Sequence, residues 1–140
     1  MKALSLHQPH ATAIALGLKQ YETRGWMTRY RGPLVIHAAL KPFKYTDYDR
    51  HYYMEVCRQL SKAECPQYAL QYGRVLCVVD LVDCIPTSEL RPRLSKATSF
   101  WGDFRDVGDD GKQRFAFKLE NVRKLWPHPM KIHRLCAPAF

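Results

Sequence analysis

The sequence predicts an α+β domain, a small β-barrel with a few short helices around it. Three observations lead there. Val75–Val82 is a run rich in β-branched residues, which reads as a strand covered on both faces. Phe115, Phe117 and Leu119 alternate with Arg114, Ala116, Lys118 and Glu120, the period of a half-buried antiparallel strand with a basic outer face. Helical spacing of apolar residues recurs only over short stretches, after Pro9 and after Tyr48.

Ala3–Leu6 begins the chain as a short apolar strand. Pro9 suits the first turn of a helix, where its missing N–H has no intrahelical partner. Ala11, Ile14, Ala15 and Leu18 continue at helical spacing for about two turns. Gly17 can end that helix by adopting a left-handed backbone. Tyr21–Trp26 is extended, so Glu22 and Arg24 share one face and Thr23 takes the other. Gly32 and Pro33 mark a turn into Leu34–Ala39, a buried strand.

Thr46 and Asp49 have the spacing of a capping box with aspartate in place of glutamate. Tyr48, Tyr52, Val56 and Leu60 then predict a helix over about Asp47–Leu60. Pro66 to Gly73 forms another short helical piece. Asp110-Gly111 is a hairpin turn signal ahead of the last strand.

At 140 residues the chain is expected to be one domain, residues 1–140, large enough to bury a core without staples. Its five cysteines are odd in number and none has C-x-x-C spacing, which argues against a metal ribbon or a disulfide framework. No signal or spanning segment is visible, so a soluble cytoplasmic protein with no membrane partner is expected. No cofactor and no metal site are expected; His128 and His133 do not make a convincing metal pair. The net charge is +9, and from Lys112 to Arg134 seven basic residues stand against Glu120 alone. Such a surface attracts polyanions, though it also fits a solvated face.

The stretch "GLKQYETRGW" gathers Lys19, Glu22 and Arg24 just after the first helix. Lysine and arginine can hold an anionic group, one as a point charge and the other as a planar fork. Glu22 can orient both cations, accept an amino-group proton from a base, or act as a general base. The same trio could instead brace the barrel seam as an ion-pair network. Trp26 and Trp101 are candidate stacking platforms for bases, or ordinary core residues. His37 ends an apolar strand and reads as a satisfied core residue.

"LSLHQPHATAIALGLKQYETRGWMTRYRGPLVIHAA" resembles the ASCH domain family, a branch of the PUA-like β-barrels. The matching elements are Gln8-Pro9 opening the helix, G-x-K-x-x-E-T-R at Gly17–Arg24, Trp26, and R-G-x-L-x-I-H-A at Arg31–Ala38. "WGDF" at Trp101–Phe104 and "FAFKLENVRKL" at Phe115–Leu125 also match, while Pro42–Tyr72 matches weakly. The resemblance implies a PUA-like barrel with a cleft beside the first helix, lined by Lys19, Glu22 and Arg24. Gln8, Trp26 and Trp101 complete the expected ligand-binding set. It also implies RNA or modified-nucleoside chemistry. Some relatives bind RNA, some are ribonucleases, and one branch hydrolyses acetylated cytidine.

This sequence departs from that branch, which has threonine three residues after the lysine; here Glu22 stands there. No clear counterpart of its distant glutamate lies near Ser95–Asp103. His10 occupies a position where the family commonly has tryptophan. The leading expectation is therefore a protein that binds RNA, single-stranded nucleic acid, or a nucleotide or modified nucleoside. The alternative is a hydrolase on RNA or on a modified nucleoside, of ribonuclease or amidohydrolase type, with Lys19 as nucleophile or charge stabiliser and Glu22 as acid/base. A protein-interaction module is the third.

Overall fold

A computed structural model of the chain describes residues 1–125. Five strands form one sheet: β1 (Lys2–Leu6), β2 (Tyr21–Arg24), β3 (Gly32–Ala38), β4 (Arg74–Pro86) and β5 (Phe115–Lys124). Their order is β1-β3-β4-β5-β2; β1 runs parallel to β3 and the other pairings are antiparallel. The sheet curls into a half-barrel, and the Arg24 side chain on one edge strand donates from Nη2 to the Ser5 carbonyl on the other at 3.2 Å. Among the described residues four short α-helices accompany it: α1 (His10–Ala15), α2 (Arg50–Lys62), α3 (Thr87–Leu90) and α4 (Lys96–Ser99). This is the α+β class the sequence predicts.

The placement of α1 organises the interior. Ala11 through Ala15 are all buried, because the helix is covered on more than one side. Ala11, Ile14 and Ala15 join Leu34, Ile36, Leu76, Val79 and Phe117 in the main core over the sheet. Ala13 faces a second cluster with Phe43, Val56, Leu60, Leu70 and Trp101, contributed largely by α2 and its flanks. A third, smaller cluster holds Leu90, Phe104 and Ala116. Each large apolar side chain fully removed from water contributes about 1.5–3 kcal/mol.

The end of α1 fixes where the following residues go. Gly17 has φ +77°, its N–H donates to Ile14 O at 3.0 Å, and the Leu18 N–H donates to Ala13 O at 2.9 Å. That is a Schellman cap, the left-handed stop predicted for this glycine. The Lys19 N–H also reaches Ala13 O, at 3.1 Å, so Lys19 is anchored directly under the helix.

Several elements differ in detail from the expectation. Pro9 caps α1 instead of lying in its first turn. Helix α2 begins after Asp49, whose carboxylate accepts from the N–H groups of His51 at 2.9 Å and Tyr52 at 3.2 Å; Tyr45–Asp47 is a separate 3₁₀ turn. Asp49 outcompetes Thr46 because its own carboxylate reaches two orphan donors. Strand β4 runs on to Pro86, with bulge-like register shifts between Val78 and Asp80 and between Leu81 and Asp83. Its apolar run is not covered on both faces throughout: Leu76, Cys77, Val79 and Leu81 are buried, whereas Val75 and Val78 are only partly covered and Val82 is exposed. The outer face of β5 is not uniformly basic and open either, since Ala116 packs with Leu90 and Phe104. Of its cations, Lys118 contacts Glu120 and Arg123 contacts Asp80, and Arg114, just before the strand, contacts Asp103. Lys131, Arg134, His128, His133 and Cys136 lie outside the described residues.

Candidate functional site

A hollow of about 290 Å³ opens beside α1, lined by His10, Lys19, Glu22, Thr23, Tyr52, Phe100, Gly102 and Asp103. Lys19 and Glu22 reach it because the Schellman cap drops Lys19 below the helix and β2 starts two residues later. Both are buried, at 4% and 8% exposure. Lys19 Nζ lies 3.1 Å from Glu22 Oε2 and 3.3 Å from His10 Nδ1, and it donates to the Trp101 carbonyl oxygen. Three acceptors thus surround the three hydrogens of one ammonium group. Burial pushes the proton affinity of Lys19 down, and the adjacent Glu22 carboxylate opposes that shift.

Glu22 is held from both sides. Arg24 Nε lies 3.1 Å from Glu22 Oε1, out of line for a hydrogen bond. The Arg24 guanidinium also sits 5.3 Å from the centre of the Trp26 ring. Arg24 therefore meets Glu22 from behind and does not line the hollow itself.

Thr23 follows strand alternation and pairs across from Ala116. It lines the hollow nonetheless, because the segment after α4 crosses here: its hydroxyl oxygen accepts from the Asp103 N–H at 3.3 Å and from Arg114 Nη2 at 3.2 Å. A Cβ at Gly102 would come within 2.7 Å of the Phe104 ring, so a larger residue there would have to displace that ring. Asp103 is gripped by Arg105, which holds its carboxyl below the usual aspartate range.

Tyr52 and Phe100 form the aromatic wall, stacked at 5.1 Å between ring centres, with Tyr48 stacked on Tyr52 beyond. Burial pushes the Tyr52 phenol up to about 12, so it stays an O–H donor.

The other candidate residues lie elsewhere. Gln8 is buried with its amide engaged: Nε2 donates to Gln71 O at 2.7 Å and Oε1 accepts from the Thr12 N–H at 3.0 Å. Gln8→Ala is expected to lower stability by about 1–3 kcal/mol, the cost of leaving buried partners unpaired, as measured by urea unfolding. Trp101 is buried in the second cluster; its indole N–H donates to Gln59 Oε1 at 2.8 Å, and its carbonyl rather than its ring serves Lys19. Trp26 is half exposed and lines a separate concavity with Arg105, Lys112 and Arg114. His37 is not core but partly exposed, with Nδ1 3.0 Å from the Ser5 hydroxyl. Among the described residues no group of His, Cys, Asp and Glu could hold a metal ion. Nor, among the described residues, is any helix long and apolar enough to cross a membrane.

Sequence reasoning did not place Tyr52, Phe100, Asp103 or His10 in the site. Tyr52 looks like one more core position on α2. The "WGDF" motif was a usable pointer to Gly102 and Asp103.

A sheet curled into a half-barrel, a few short helices, and a polar hollow between the first helix, an edge strand and a crossing loop together define a small α+β fold. The family model described as the ASCH domain matches residues 4–127, and the chain belongs to the ASCH domain family, whose fold is associated with RNA binding. The chain is 26% identical over 145 residues to Activating signal cointegrator 1 of Homo sapiens, covering 94% of this chain. The protein of that name from Mus musculus is 27% identical over 148 residues. The chain spans 23% of the length of each of these relatives. Among solved structures it is similar to a ZmASCH mutant protein from Zymomonas mobilis, with TM-score 0.49, 17% identity, 87% of this chain covered and 70% of that one.

Proposed function

We propose that this protein binds RNA, or a nucleotide or modified nucleoside derived from it, with one base entering the hollow beside α1. The observation that carries this reading is a hollow of about 290 Å³ that joins an aromatic wall, Tyr52 and Phe100, to the buried Lys19–Glu22 pair. That volume lies just below the roughly 300–1,000 Å³ common for small-molecule sites, so it suits one unstacked base. Single-stranded RNA offers bases that can be splayed out in this way. The +9 net charge supplies attraction for the phosphates outside the hollow.

The test is titration of a labelled single-stranded RNA, with backbone NMR shifts followed at the lining residues. The expected result is saturable binding that moves the resonances of Lys19, Glu22 and Gly102. Affinity should fall about tenfold between 50 and 200 mM salt if two or three phosphates are contacted. Affinity that is insensitive to salt, or unchanged in a Lys19→Ala/Arg24→Ala variant that still folds, counts against the proposal.

A hydrolase acting on RNA or on a modified nucleoside is the second reading. It is favoured by the burial that lowers the proton affinity of Lys19, since a neutral lysine is a nucleophile. Incubation with total RNA and a panel of acylated nucleosides tests it. Absence of product, or full turnover by Glu22→Gln, ends it.

A further inference from the structure

We propose that His10 is a specificity-determining residue of the hollow: its Nε2–H donates to an acceptor atom on the edge of an uncharged base while the Glu22 carboxylate accepts from a neighbouring N–H of the same base, and phosphate is excluded. This rests on the reading of the hollow as a base site. It adds which groups meet the ligand and which chemical class they admit.

The argument begins with the hydrogens of Lys19. Its ammonium faces Glu22 Oε2, His10 Nδ1 and the Trp101 carbonyl oxygen, so no N–H is left over for a ligand. Lys19 therefore organises the hollow and does not receive an anion. His10 Nδ1 lies 3.3 Å from Lys19 Nζ, and an ammonium can only donate, so that nitrogen carries no proton and a neutral imidazole carries it on Nε2. Among the described residues Nε2 has no hydrogen-bond partner and is not a fully buried atom, and its ring lines the hollow. The ring itself is steadied edge-on by Trp101, with 6.3 Å between ring centres.

The charges of the lining agree. Lys19 is its one cation, against two carboxylates, Glu22 and Asp103. A phosphate placed there would face two like charges and no free cationic donor. A base edge, with a donor beside an acceptor, matches Glu22 beside His10.

The experiment measures binding of the four nucleosides, their 5′-monophosphates and inorganic phosphate to the intact protein, to His10→Phe and to His10→Gln. Expected are at least one nucleoside that binds, a monophosphate affinity within about threefold of it, and no competition by inorganic phosphate. His10→Phe, which keeps a ring but loses the N–H, should weaken binding about tenfold, and His10→Gln, which restores a donor, should recover most of that. In the unsubstituted protein, ¹⁵N NMR should show His10 protonated at Nε2 and not at Nδ1, with the Nε2 signal moving on nucleoside addition; this readout does not depend on either variant folding. Competition by inorganic phosphate, a proton on Nδ1, or undiminished binding by His10→Phe overturns the inference. If RNA binding persists in that case, the base-site reading survives it; if neither RNA nor any nucleoside binds, both fall together.

Discussion

Glu22→Ala is expected to destabilise the fold by about 3–5 kcal/mol, the range for stranding one member of a buried ion pair. Lys19 is 4% exposed and its nearest carboxylate is Glu22, 3.1 Å away. Without that carboxylate the ammonium keeps only neutral acceptors, His10 Nδ1 and the Trp101 carbonyl oxygen. Lys19→Met should cost less, because Glu22 retains Arg24 at 3.1 Å and Arg24 is partly open to water. The double variant Lys19→Met/Glu22→Leu should recover much of the loss, since an apolar pair of similar volume needs no desolvation of charge. A double-mutant cycle by urea unfolding measures the coupling. A stable double variant that no longer binds RNA would assign the pair to ligand recognition. One that binds normally would reduce the pair to a brace of the barrel seam.

The pairing itself is legible in the sequence, but which of the two roles it plays is not. The helix, its glycine stop and an extended segment from Tyr21 follow from local rules, which bring Lys19 and Glu22 together, although the strand stops at Arg24, short of the expected Trp26. The fate of Arg24 does not follow from them. Alternation puts it on the same face as Glu22, but it meets the carboxylate from outside the hollow because the sheet is curled enough for its guanidinium to reach Ser5 on the opposite edge. Trp101 shows the same limit. Its ring is core, as tryptophan usually is, and its contribution to the site is a backbone carbonyl, which no side-chain pattern can announce. Tyr52, Phe100 and Asp103 come from α2 and from the loop after α4, and their meeting depends on long-range packing against α1. His10 was visible as a departure from the family pattern, but its state depends on Lys19, which only the fold brings to it.

That state has a pH signature, the second large effect expected. His10 is held down to about 3 from its ordinary 6.5, first by burial and then by the charges of Lys19, His7 and Arg24. A group whose folded value is depressed binds fewer protons in the folded than in the unfolded state between the two values, so acid favours unfolding across that window. The sign is that of a histidine buried neutral: no effect above about pH 6.5, and a growing loss of stability as pH falls toward 3. At pH 4.5, two units into the window, the loss is roughly 2–3 kcal/mol at 1.36 kcal/mol per unit. Carboxylates such as Asp103, which Arg105 holds below its usual range, add their own acid sensitivity, so the histidine part must be isolated by difference. Urea unfolding of the unsubstituted protein and of His10→Phe from pH 7.5 to 4.5 does this. The gap between the two proteins should shift by about 2–3 kcal/mol in favour of the variant as pH falls. A gap that stays constant would mean that His10 takes up a proton in the folded protein as readily as in the unfolded chain. That would remove the neutral imidazole on which its donor role depends.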